Sequence, residues 1–138
     1  MKKVILILCV LLFAGSIVYA DGLNSKASYI KANYPTEYKN TIRKHAIEKW
    51  KDDHEMVVYR INNQADAIYN IVSKFESKNT NILYKGMVKW SHDGYEGNTT
   101  ALFKELKSVD VKSLIKFHCD WEMVEYYYDN QASAKTAY

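Results

Sequence analysis

Residues 53–67 read D-H-E-M-V-V-Y-R-I-N-N-Q-A-D-A, and residues 120–134 read D-W-E-M-V-E-Y-Y-Y-D-N-Q-A-S-A. Nine of these fifteen positions are identical at a spacing of 67, where ordinary residue usage gives about one by chance. The repeated phrase also has a helical period. Alternating steps of three and four from Ile47 reach Trp50, His54, Val57, Ile61, Gln64, Ile68, Ile71 and Phe75, and seven of these nine residues are apolar. In the second copy the same register gives Leu114, Phe117, Trp121, Val124, Tyr128 and Gln131. One apolar stripe at this spacing is a helix presenting a seam to a partner.

Proline and glycine leave room for long helices. Pro35 is the only proline, and no glycine follows it until Gly86. A helix over 36–77 would be about 63 Å long at 1.5 Å per residue, which is long for one small domain. The polar Lys51-Asp52-Asp53 cluster is the expected place for a bend or break. In the second half, a helix is expected from Asp110, as its cap, to about Ala134; the strand propensity of Tyr126-Tyr127-Tyr128 yields to the repeated helical phrase.

Between the copies the signals conflict. Gly86 weakens a helix over 82–90, and the large residues there would suit a strand. However, Lys-Trp-x-x-Asp at Lys49, Trp50 and Asp53 recurs at Lys89, Trp90 and Asp93, and as Lys-Phe-x-x-Asp at Lys116, Phe117 and Asp120. That echo favours a helix with Leu83, Met87 and Trp90 inward. Asn98 or Thr99 would cap a shorter helix with Leu102, Phe103 and Leu106 inward, after a loop at Gly94 and Gly97. Trp50, Trp90 and Trp121 are expected to anchor the core.

These readings combine into an all-α fold, a small up-and-down bundle of about four helices containing the duplicated motif at 53–67 and 120–134. The halves are expected to be related by an approximate two-fold, with Val57 and Val124 near the shared core. A short solenoid is the competing arrangement, but it usually needs three repeats. Residues 1–20 read as a signal peptide, 21–34 as a mobile polar leader, and 35–138 as a single helical domain of two related halves.

The signal-peptide reading rests on the basic Met1-Lys2-Lys3, the apolar run Val4 to Val18 and small or tolerated residues before Asp21. It implies export in a bacterium, to the periplasm or the exterior, with no integral membrane segment after cleavage. A retained anchor is the alternative, since roughly 17 apolar residues is at the low edge of a bilayer span. Cys9 lacks the small residues a lipidation site places before it. Cleavage would take the basic count from 19 to 17 against 16 acidic residues, a balance that argues against a nucleic-acid partner. It would also leave Cys119 as the one cysteine, so no intramolecular disulfide could form. A buried, inert thiol is then expected.

Function is less legible. Beside the seam, Glu55, Met56, Tyr59 and Asn63 lie on a neighbouring helix face and recur as Glu122, Met123, Tyr126 and Asn130. A merely solvated face has no need of that likeness, so it is either a second packing face or a pair of equivalent binding surfaces. Gln64 and Gln131 occupy seam positions, where a buried amide must find partners; the two glutamines are expected to bond to each other, to a tyrosine hydroxyl or to backbone. There is no glycine-rich phosphate loop, nucleophile elbow, haem-attachment motif or zinc-type cysteine spacing. No cofactor is implied, and an enzyme is the less favoured reading. The expectation is an exported, non-enzymatic protein that binds a protein or envelope component, with self-association open. The alternative is a metal site built from Asp53, Glu55, Asp120 and Glu122. Histidines 45, 54, 92 and 118 stand near such carboxylates in sequence, but no Glu-x-x-His occurs.

Overall fold

A computed structural model describes residues 21–92, 106 and 108–138. The apolar start 1–20, the loop at Gly94 and Gly97 and the short helix expected at Leu102 and Phe103 lie outside the described residues. The fold is all-α. In chain order it comprises α1 (Ser25–Asn33), α2 (Pro35–Tyr38), a π-helical turn (Lys39–Arg43), α3 (Lys44–Trp50) and α4 (His54–Lys74). A 3₁₀ turn (Ser77–Asn79), α5 (Thr80–Lys89), α6 (Val111–Leu114) and α7 (Trp121–Ala137) follow. Among the described residues there is no strand; Ser91 and Cys119 form an isolated antiparallel bridge. No described helix is long and apolar enough to cross a membrane.

The expected break in the long first helix occurs at Lys51-Asp52-Asp53. Lys51 takes φ +48°, and the Asp53 side chain accepts a hydrogen bond from Met56 N at 3.2 Å. A short carboxylate that can bond the free N–H groups of a new helix competes well with continuing the old one. The second copy behaves alike, which corrects the single helix expected from Asp110 to Ala134. Asp110 does cap α6 through Ser113 N, but α6 stops at Leu114, and Asp120 caps α7 by accepting from Met123 N at 3.4 Å. Between them the backbone is held sideways: His92 N donates to His118 O, and Asp120 N donates to Trp90 O at 2.9 Å.

The polar composition of 21–34 suggests a mobile leader; the structure folds it instead. Leu23, Ala27 and Ile30 form a sparse apolar stripe, and all three are buried. Asn24 caps α1 by accepting from Ala27 N. Asn62 on α4 grips the entry twice, accepting from Asn24 N and donating to Gly22 O. Three apolar contacts and these backbone bonds outweigh the polar average of the segment.

α4 is the axis of the bundle. Contacts pairing Gly22 with Val58, Asn24 with Asn62 and Lys26 with Asp66 show α1 running parallel to it. α3 returns antiparallel, since it reaches α4 through the turn at 51–53 and its His45 lies beside Arg60. α7 is parallel to α4, with Asp120 at Arg60, Glu125 at Lys74 and Tyr128 at Glu76. α5 packs against α7, where Gly86 is needed: an added Cβ would stand 2.9 Å from the Tyr127 ring. Helix, not strand, is therefore the state of 82–90, and the glycine serves close approach.

The seam supplies the core. Val57, Ile61, Ile68, Ile71, Leu114, Phe117, Trp121, Val124 and Tyr128 are buried, as are Leu83, Met87 and Leu106. Of the three tryptophans only Trp121 is a core anchor; Trp50 and Trp90 are half-buried, with Lys49 and Lys89 over their rings. Cys119 is buried, its thiol donating to Met87 O. The expected two-fold is not what the structure shows. Gln64, the twelfth residue of the first phrase, meets Trp121, the second residue of the other, so the copies are parallel but staggered by about 15 Å, ten residues at 1.5 Å each.

Candidate functional site

That stagger gives the two copies of the repeated face different surroundings. In α7 the N-terminus is clasped by α4. The Gln64 amide works as a surrogate peptide group, its Oε1 accepting from Trp121 N at 2.7 Å and its Nε2 donating to Asp120 Oδ1 at 3.1 Å and Glu122 Oε1 at 3.3 Å. Arg60 adds ion pairs to Asp120 at 3.2 Å and Glu122 at 3.5 Å. Further along, Lys74 holds both Glu125 and Asp129. The acidic first turn of α7 and its macrodipole are thus matched by a fixed amide and cation.

The same phrase at the start of α4 has no such cover. Asp53, His54 and Glu55 are exposed, and Tyr59 is 60% exposed. Gly22, His54, Glu55, Val58, Tyr59 and Asn62 line an open groove of about 490 Å³. Met56 and Asn63 sit half-buried at its flank. On the other helix Tyr126 is 65% exposed and Asn130 is exposed, whereas Glu122 and Met123 are half-buried. The eight residues of the repeated face therefore form two separate surfaces, of which the α4 surface borders the shallow, open groove.

The glutamine pair is corrected in the same way. Gln64 is 4% exposed and fully bonded, as a seam amide requires, but Gln131 is exposed on the C-terminal half of α7 and does not meet it. Gln131 faces solvent, although the end of α7 is tied to the 3₁₀ turn by Lys135 Nζ donating to Lys78 O at 3.1 Å. The four carboxylates of the metal alternative are likewise not brought together: Asp120 and Glu122 bond residues 60 and 64, roughly 10 to 16 Å along α4 from Asp53. Among the described residues no three His, Cys, Asp or Glu side chains converge in a metal-holding group.

Sequence reasoning missed the imidazole cluster, because its members are far apart in the chain. His45 stacks on His92 with ring centroids 4.3 Å apart and meets His118 edge-on at 5.3 Å. His45 Nδ1 lies 3.2 Å from Glu48 Oε2, and its buried Nε2 has no hydrogen-bond partner. Burial, and then the neighbouring His92, push the His45 pKa below its ordinary value, against the pull of Glu48. A neutral ring suits this position, where a cavity of only about 10 Å³ lies between His45, Arg60, Gln64 and Trp121. Such a space holds about one water and no larger ligand.

Compared with protein-family models, curated protein sequences and solved structures, the chain matches none.

Proposed function

We propose that this is an exported, non-enzymatic helical protein that binds a protein partner through the groove at the start of α4, with Glu55, Met56, Tyr59 and Asn63 as the contact set. The observation that carries the proposal is the shallow, open groove beside Tyr59 and Glu55; on α7 the counterpart Tyr126 is as exposed, but its neighbour Glu122 is held by Arg60 and Gln64. A rigid aromatic with a polar tip beside a carboxylate and an apolar floor is the composition of an interface anchor. Asp53 and Glu55, at the positive end of a helix, favour a partner that brings donors or a cation.

The export part of the reading is supported by the signal-peptide pattern and is tested by the mass of the protein recovered from outside the cytoplasm, expected to begin at Asp21. For the binding part, a photo-crosslinking amino acid is placed at Tyr59 or at the solvent-facing Lys85 in the producing cell. A discrete protein adduct from position 59 and none from position 85 is expected. Equal labelling from both, or none from position 59 in a normally folded protein, would overturn the binding reading.

A further inference from the structure

We infer that the small cavity beside His45 is a binding site for one ordered water molecule, which links this histidine to the arginine that clasps α7. The inference is independent of the groove at Tyr59. His45 and Arg60 both line the cavity, and each has one buried polar atom without a hydrogen-bond partner in the chain, Nε2 of His45 and Nε of Arg60. Each atom is left over because the rest of its group is spent. His45 turns Nδ1 to Glu48 Oε2 at 3.2 Å, so Nε2 is the inward edge of the ring. Arg60 gives Nη2 to Asp120 and Nη1 to Glu122, and the Nε edge of its guanidinium remains. A buried donor or acceptor with no bond is costly, and here one of each borders the same space.

The two atoms are complementary in a way that water serves. Arg60 Nε–H can only donate, and a neutral His45 that gives Nδ1–H to Glu48 can only accept at Nε2. They are not bonded to each other, and the space that their residues line is about 10 Å³, the size of one water. The water accepts from Arg60 Nε and donates to His45 Nε2. For its second hydrogen, Thr41 Oγ1 and Gln64 Oε1 are acceptors in the same wall. Thr41 spends its own hydroxyl hydrogen on Glu37 O at 2.6 Å, which leaves lone pairs free. Three bonds are the usual complement of a buried water. Ile42, Phe117 and Trp121 make the apolar part of the wall and leave no room for a larger ligand. The water thus fixes the third edge of a guanidinium whose other two edges hold Asp120 and Glu122 at the start of α7.

A crystal structure at a resolution that orders water tests this directly. Density for one water within hydrogen-bond distance of both Arg60 Nε and His45 Nε2 is expected. Nitrogen NMR of the wild type, with His45 neutral, is expected to find the proton on Nδ1 and Nε2 bare. Magnetic relaxation dispersion of the solvent water extends the test to two variants in solution, with circular dichroism to confirm that each folds. His45→Gln carries an amide oxygen close to the place of Nε2 and is expected to keep the long-lived water. His45→Leu offers no acceptor and is expected to lose one long-lived water relative to the wild type; if it does not fold, the crystal structure and the proton position decide. A cavity without water density, a proton on Nε2, or a folded His45→Leu with as many long-lived waters as the wild type would overturn the inference.

Discussion

The N-termini of α4 and α7 begin with nearly the same letters and end in opposite surroundings. Both open on an aspartate that caps the third residue of its helix, and both place a glutamate in the first turn. Yet Trp121 is 1% exposed beneath the Gln64 amide, whereas His54, its counterpart, is exposed at the mouth of a groove. Local sequence therefore specifies the helix start, and the neighbouring helix decides what that start becomes. The substitutions between the copies follow their positions: the buried site carries a tryptophan, and the open site carries a histidine.

The sharpest way to break this comparison is to truncate both residues. Trp121→Ala should destabilise the fold by about 3–5 kcal/mol through loss of a fully buried ring, while His54→Ala should stay within about 0.5 kcal/mol. Similar costs, measured by urea unfolding at dilution, would mean that the two ends are equally packed. The glutamines make the next comparison. Gln64→Ala removes three hydrogen bonds and leaves Trp121 N buried without its acceptor, a loss of about 1–3 kcal/mol; Gln131→Ala should be nearly silent in the monomer.

Two smaller effects probe the junctions that separate the copies. Lys51 adopts a positive φ at the α3–α4 break, a conformation that costs a side-chain-bearing residue about 1–3 kcal/mol. Lys51→Gly should therefore raise stability by about 1 kcal/mol after the extra chain entropy of glycine is subtracted, and a lower melting temperature would refute the strain. At the α3–α7 junction His45 titrates below its ordinary value of 6.5. Above that value neither state binds the proton; as pH falls through it the unfolded chain protonates first and stability declines. Unfolding midpoints between pH 7.5 and 5 should show this loss, and His45→Gln should reduce it.

Much of the scaffold was readable from periodicity. The seam residues from Val57 to Ile71 and from Leu114 to Tyr128 are buried as their spacing predicts, and the polar cluster at 51–53 marks a real break. The aspartates that cap α4 and α7 are also legible, as an Asp three residues before each Met of the repeat, but the break between α6 and α7 is not. That break depends on His92, His118 and Trp90 backbone groups meeting across distant segments, which no local pattern encodes. α1 is hard to read because Leu23, Ala27 and Ile30, three apolar residues among polar ones, carry a stripe that average composition hides. The groove could not be read at all: it lies between Gly22 and the first turns of α4, and α7, staggered along α4, leaves Asp53, His54 and Glu55 without the cover that Gln64 gives Trp121.

Amide hydrogen exchange at Trp121 and His54, measured in dilute solution, tests that claim most directly. The Trp121 amide, bonded to Gln64 in a buried site, should exchange only on substantial unfolding of the bundle, and the His54 amide at close to the rate of an unstructured chain. Comparable protection of the two amides in the monomer would contradict the account.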